Sequence, residues 1–458
     1  MRPHSPLKGT TGDSSAGNGR TSSGHVSIFT GQVQLPIVYR RLDPKSEHKS
    51  SCNPPVSKPL RLPRAFFLII PKSLEYNPLA MGIHPNDVET IRWSDFIIDN
   101  PVCRQSQSDT CIIGVLKGEG IGPEVTAEAL KVLSAIEEVA HRRFEVYSGG
   151  EIGLEAEIKY GASLPDQTSE FCRDMFSKGG AILAGPGGGR FVYNLRKRFD
   201  LFCKINPLKP IIELNGASRV KPEYIRGADI IIVRDNIAGS YQGKQSLEEG
   251  EQKIARCSFE YEEKNVRRIV EVAARIAASR SGRMMVVLKD GGLPSFSQLW
   301  RECATEIARR HAVDCSYANI DYAAYLLIQQ ARDLDVIVTS NLFGDVLSDL
   351  GGVLLGSRGM CYSGNFAADS SAVYQTNHGA AYDLAGKDAA NPIAQILSLA
   401  MLLSESFSLA RESSLIHKAV KAVLRDDWRT FDINEQSRRV VGTRQMGDLI
   451  AAAVIKMA

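Results

Sequence analysis

The chain has 458 residues, 43% of them hydrophobic and 23% charged, with a formal net charge of +3. That balance is ordinary for a globular protein and excludes a polyanion such as nucleic acid as the obvious partner. Nine scattered cysteines, none in a CxxC pair, exclude a zinc ribbon or a disulfide framework and point to a reducing, cytoplasmic setting.

Residues 1–110 differ in texture from the rest. Met1 to Lys58 is rich in Ser, Gly and Pro, carries only Asp13, Asp43 and Glu47 as acids, and reads as disordered. The run Ala65-Phe66-Phe67-Leu68-Ile69-Ile70 is too short to cross a membrane. The acid-poor start has some transit-peptide character, so organelle targeting is one alternative and a true start at Met81 another. A partner-binding segment around Ala65–Ile70 or Trp93–Ile98 is a further reading of this extension.

From Cys111 the pattern becomes regular. Ile112 to Leu116 reads as a strand, and Gly118-Glu119-Gly120-Ile121-Gly122-Pro123 as a tight turn into a helix, with Pro123 suited to the first helical position. Its glycine spacing is not that of the Rossmann fingerprint. Ala181 to Gly185 is a second strand, followed by Pro186-Gly187-Gly188-Gly189-Arg190, where the backbone can bend or approach a ligand closely. The basic stretch Asn194 to Asp200, with Arg196 in it, is either a solvated helix face or an anion site. Ile230 to Val233 reads as a buried strand ending in Arg234, with Tyr241 in the glycine-containing segment after it. Val266 to Ser279 has helical apolar spacing, and Met284 to Leu288 is a strand ending in Lys289. Ala318 to Asp321 repeats the pattern with an aspartate. Strands alternate with helices throughout, which predicts a parallel α/β sheet.

The most informative stretch is Thr339 to Gly352, TSNLFGDVLSDLGG, after the apolar strand Asp335 to Val338. Asn341 is expected to cap the following helix. Asp345 and Asp349 lie four apart and so share a helix face. A solvent-facing pair is the plain alternative. At the C-terminal end of a strand, two carboxylates that repel each other suit a divalent cation with oxygen ligands. Asn377 to Lys387 then forms a long loop, with His378 and Asp383, ahead of an apolar helix from about Pro392.

Taken in this order, GEGIGPEV at 118, NLFGDVLSDLGG at 341 and HGAAYDLAGKDAANP at 378 resemble the isocitrate and isopropylmalate dehydrogenase family of β-decarboxylating dehydrogenases. The resemblance covers residues 111–458. It implies a two-domain α/β fold that is not a Rossmann fold, with parallel or mixed sheets flanked by helices, in a homodimer with shared active sites. It further implies NAD and Mg²⁺ or Mn²⁺ as cofactors. Asp321, Asp345 and Asp349 match the metal carboxylates, and Tyr241 and Lys289 the acid/base pair. Lys289 and Asp321 are expected from a neighbouring subunit. Arg196 and Arg234 match arginines that bind the malate part of a substrate. His378, Gly379, Asp383 and Asn391 match the cofactor loop.

Several positions depart from the family pattern. Asn206 stands where a second clamp arginine is expected, Gly291 where an asparagine is, and Gln375 where a glutamate precedes the HGxA motif. Gly189, Val192 and Tyr193 replace a glutamate and a leucine pair. The expectation from these changes is an NAD- and metal-dependent oxidative decarboxylation of a 3-substituted malate other than isopropylmalate or isocitrate, its substituent reached by Arg190 or Tyr193; the plain alternative is that Arg190 points to solvent and a lysine such as Lys204 replaces the lost clamp. The alternatives are a non-decarboxylating, tartrate-like dehydrogenase, or a regulatory subunit that has lost catalysis.

Overall fold

Short apolar runs rich in β-branched residues, each followed by a glycine or a polar residue, become the strands. The computed structural model describes residues 92–97 and 110–458, except 215 and 437. The expectations placed on residues 1–91 lie outside the described residues. The main strands are β1 (Cys111–Leu116), β2 (Phe144–Ser148), β3 (Ala181–Ala184), β4 (Cys203–Leu208), β5 (Ile230–Asp235), β6 (Lys244–Glu248), β7 (Ile254–Ser258), β8 (Arg283–Leu288), β9 (Asp314–Asn319), β10 (Val336–Thr339), β11 (Tyr362–Phe366) and β12 (Ala372–Thr376).

Ten of them form one sheet in the order β2-β1-β3-β12-β11-β4-β5-β10-β8-β9. The half β2-β1-β3-β12 is parallel, and so is the half β5-β10-β8-β9. Antiparallel steps from β12 to β11, β11 to β4 and β4 to β5 lie between them, so the two halves run in opposite directions. The sheet is therefore mixed rather than purely parallel. The central strands have no exposed face: β3, β4, β5, β10 and β12 are buried at every residue. That burial is why β3, β10 and the start of β5 read as continuous apolar runs with no alternation.

The helices cover both faces. Glu263–Ala278 turns Val266, Ile269, Val270, Ala273 and Ala277 onto the sheet, as its spacing predicted. Gly122–Ala140 packs along the last helix, Thr443–Met457, so closely that a Cβ at Gly447 would collide with Glu128. Outside the sheet, β6 and β7 pair only with each other, and all their residues are exposed.

Residues 92–97 dock on this unit. Trp93–Phe96 is a single 3-10 turn, and Ile97 is 3% exposed. The Ser94 amide donates to the Glu405 carboxylate (2.9 Å) and its hydroxyl to the Glu405 carbonyl (3.0 Å). The Trp93–Ile97 part of the segment read as partner-binding thus lies against its own chain.

Candidate active site

Because β5, β10, β8 and β9 are parallel, Arg234, Asn341, Lys289 and Asp321 all emerge at one edge of the sheet. Asn341 does not cap its helix. The N-cap position of Asn341–Leu355 is Ser340, which makes no side-chain cap bond. The Asn341 amide is instead buried and oriented by the site: Nδ2 donates to the Asn236 carbonyl (2.9 Å), and Oδ1 accepts from Arg234 Nε (3.0 Å) and Nη2 (2.6 Å). The remaining nitrogen, Nη1, pairs with Asp345 Oδ1 at 2.6 Å. Gly344 makes room for this arrangement, since a Cβ there would lie 2.8 Å from Arg234 Cγ.

Asp345 is the centre of the network. Its second oxygen accepts from the Tyr241 hydroxyl at 3.0 Å. Burial alone would raise its pKa, but the charges of Arg234 and Lys204 and the bonds from Tyr241 and Arg234 hold it below the usual carboxylate range. Tyr241 is driven the other way, upward, by burial and by the Asp345 charge. Asp349 pairs with Arg358 at 2.8 Å. The mutual repulsion expected between the two aspartates is thus relieved by one arginine each.

Arg234, Asp345, Asp349 and Arg358 line a cleft of about 190 Å³ together with Arg196, Lys204, Tyr193, Gln375, Asn377, His378 and Gly379. Pro186, Phe191 and Val192 give it an apolar side. Arg196 is buried; its guanidinium lies over the Tyr193 ring (5.7 Å), and Tyr193 meets Tyr241 edge to face (5.3 Å). Burial, then the neighbouring Arg234, pushes the Arg196 pKa down to about 9. Arg190 is not among the lining residues. It stacks on the outer side of the cluster, over Tyr193 (5.1 Å), with Nη2 donating to the Tyr241 carbonyl (2.9 Å).

Lys289 and Asp321 pair with each other at 2.6 Å on an exposed surface, and the cleft does not include them. Among the described residues, no group of three or more His, Cys, Asp or Glu side chains comes together as a metal cage.

On the cofactor loop, His378 and Gly379 line the cleft, and burial holds the imidazole pKa low. Asp383 is exposed on the loop. Asn391 is buried at the start of the helix Ile393–Phe407, with Oδ1 accepting from the Ile393 amide (3.0 Å) and Nδ2 donating to Asp432 (3.1 Å).

Two further residues shape the site: Lys204, which the sequence offers as a replacement for the lost clamp, and Glu119, which it does not single out. Lys204 is a third buried cation, and β4 places it directly opposite Arg234. Glu119, in the first glycine turn, accepts from the amides of Leu154 and Glu155 (2.9 Å each) and of Gly188, and from the Tyr382 hydroxyl (2.6 Å). It ties the glycine-rich loop after β3 to the cofactor loop. Burial opposes its ionisation, but these donors outweigh it and keep its pKa low.

Residues 112–450 match the sequence profile described as isocitrate/isopropylmalate dehydrogenase. The chain belongs to that family. Relatives of similar sequence include the 3-isopropylmalate dehydrogenases of Cupriavidus metallidurans (39% identical, covering 75% of this chain and 99% of the relative) and Carboxydothermus hydrogenoformans (39%, 74% and 94%). Among solved structures, the isocitrate dehydrogenase of Methylococcus capsulatus is similar with a TM-score of 0.67 at 28% identity, covering 75% of this chain and 99% of that one. As a member of the isocitrate/isopropylmalate dehydrogenase family, the chain is an NAD-dependent oxidoreductase acting on CH–OH, with Mg²⁺ or Mn²⁺ as its metal. The donor chemistry fits a hard cation: Asp345 and Asp349 present carboxylate oxygens from one helix face into the cleft. The half-buried His378 and the backbone of Gly379, at the mouth of the same cleft, fit the dinucleotide.

Proposed function

We propose that this enzyme oxidises and decarboxylates a 3-substituted malate, with 3-isopropylmalate the first candidate. The observation that carries this reading is the cleft that faces buried cations toward Asp345 and Asp349 while offering Pro186, Phe191 and Val192 as an apolar wall. Cations suit the two carboxylates of a malate core, and the wall suits a branched substituent. Arg190, by contrast, lies outside the lining. The names of the relatives point the same way, toward the substrate that the changes at 189, 192 and 193 seemed to disfavour.

The residues divide the chemistry. When bound, the cation polarises the substrate hydroxyl and the carbonyl that replaces it, and NAD accepts the hydride. Asp345 and Asp349 would hold the cation, exchanging Arg234 and Arg358 for it in part. Tyr241, strongly protonated beside Asp345, is suited to deliver a proton to the carbon left bare when CO₂ departs. His378 and Gly379 would position the nicotinamide end of the cofactor, and exposed Asp383 would read its ribose.

Lys289 and Asp321 would complete the site from a second copy of the chain. Three features support a dimer of this kind. The Lys289–Asp321 pair is exposed and away from the cleft. The β6–β7 ribbon has no partner strand among the described residues, and a lone two-stranded ribbon is at best marginal in water. Tyr322 (54% exposed), Tyr325 (57%) and Val346 (50%) leave apolar surface open on the helices that carry Asp321 and Asp345.

The test is NADH formation and CO₂ release from 3-isopropylmalate, malate, isocitrate and tartrate with Mn²⁺. A kcat/KM above about 10⁴ M⁻¹s⁻¹ for 3-isopropylmalate supports the assignment. NADH without CO₂ from every substrate would replace it with the non-decarboxylating reading.

A further inference from the structure

Three buried cations line the cleft, but they are not equally free. Arg234 spends all three guanidinium nitrogens within the chain, two on Asn341 and one on Asp345. Among the described residues the Arg196 side chain makes no hydrogen bond, and its Nε is buried without a partner. Among the described residues the Lys204 side chain, 3% exposed, has neither a hydrogen bond nor an ion pair, although it lines the cleft. A buried ammonium with no partner is a costly thing to keep. Two residues further along β4, Asn206 is fully buried with both amide atoms unpartnered. Residues 204 and 206 project from the same face of the strand. The cation that the family pattern leads one to expect at 206 has thus moved one rung along that face, to a position opposite Arg234.

We propose that Lys204, acting with Arg196, is the ligand of a substrate carboxylate in this enzyme, and that Arg234 is a positioning residue for Asp345 and Asn341. The inference rests on the malate-type substrate class proposed above. An ammonium offers a point contact where a guanidinium would offer a planar fork. The carboxylate held by Lys204 is therefore less constrained in orientation. Burial and the charges of Arg196 and Arg234 already weaken protonation of Lys204 in the empty cleft. An arriving dianion reverses that balance, so binding draws in a proton.

The test uses the full chain and two probes, 3-isopropylmalate and malate, with binding followed calorimetrically in the presence of Mg²⁺ and without cofactor. Lys204→Met should weaken binding of the probe about 30-fold or more, the scale of a lost charge-assisted contact. It should leave the Kd for NAD⁺ unchanged and raise the Tm, because a buried polar group with no partner has been removed from the interior. Lys204→Arg should recover part of the affinity. Wild type should take up protons on binding, seen as a heat that varies with the ionisation enthalpy of the buffer, and Lys204→Met should not. A merely structural lysine predicts the opposite pattern: a lower Tm, and equal losses for the probe and for NAD⁺. That result overturns the proposal, as does unchanged probe affinity in Lys204→Met or the failure of both probes to bind wild type. If wild type binds a probe but forms no NADH from it, the proposed function fails and the binding comparison at Lys204 still decides the subsite.

Discussion

Arg234 Nη1 and Asp345 Oδ1 lie 2.6 Å apart, and the arginine side chain in that pair is 2% exposed while the aspartate is 39% exposed. The buried partner is the fixed one. It anchors a carboxylate that keeps one side open to the cleft.

Removing that anchor should therefore act through the metal. Arg234→Gln is expected to weaken Mn²⁺ binding about 10-fold, because an outer partner of a metal ligand is lost. Direct titration of Mn²⁺ by its paramagnetic signal, without substrate, measures it; unchanged Mn²⁺ affinity with a raised substrate KM would instead make Arg234 a substrate ligand.

Asp345→Asn should lower kcat about 100-fold or more while leaving the fold intact, since it removes a charge on which both the cation and Tyr241 depend. Circular dichroism and turnover at saturating Mn²⁺ are the paired readouts. Near-normal turnover at low Mn²⁺ would remove Asp345 from the metal site.

Tyr241→Phe should slow protonation after CO₂ loss more than hydride transfer, because only the hydroxyl is lost and the ring still packs against Tyr193. The variant should reduce the corresponding 2-keto acid intermediate, supplied directly with NADH, far better than it runs the whole reaction. Equal impairment of both would assign Tyr241 another role.

Preference for NAD over NADP is expected from Asp383, whose exposed carboxylate can accept from a ribose diol and repels a 2′-phosphate. Asp383→Lys should narrow the difference in kcat/KM between the two cofactors; a wild type that uses both equally would refute this.

Glu119 gives a pH dependence. Its folded pKa lies below the unfolded value, so its contribution to stability is fully present above the ordinary carboxylate range and is lost as the pH falls through the folded pKa. Glu119→Gln should cost about 2 kcal/mol at neutral pH, and the gap to wild type should close in acid. Thermal unfolding from pH 7 downward, on both proteins, tests it; a gap that widens in acid has the wrong sign.

Much of the fold was legible in the sequence, because strands buried on both faces announce themselves as apolar runs and the helix Glu263–Ala278 has an apolar stripe. The reversal of direction between β12 and β5 was not, since strand pairing across the sheet depends on contacts that no local pattern encodes. In the site, Arg196, Arg234, Asp345, Asp349, His378 and Gly379 come together as the motifs implied. Asn341 was misjudged because an Asn at a helix start competes between capping the backbone and pairing with a buried guanidinium, and the second won. The loss at 206 was visible, and Lys204 stood as the plain alternative for its replacement, behind Arg190. The signal was there in the two-residue alternation of β4. Glu119 and Tyr382 bond across 263 residues, a distance at which neither residue marks the other.

The strand order also dictates when the molecule can be assembled during synthesis. Strands β4, β5, β8 and β10 and the helix bearing Asp345 all lie between residues 203 and 355, so the anion side of the cleft can form early from a continuous stretch. The half built on β1 cannot. Its strand β3 pairs with β12, and the helix Gly122–Ala140 waits for Thr443–Met457, which emerges last from the ribosome. Until these partners emerge, Glu119 lacks its Tyr382 donor, and a nascent chain carries β3 unpaired on the side that β12 will take. Loss of the helix Thr443–Met457 would therefore be felt along Gly122–Ala140, far earlier in the sequence.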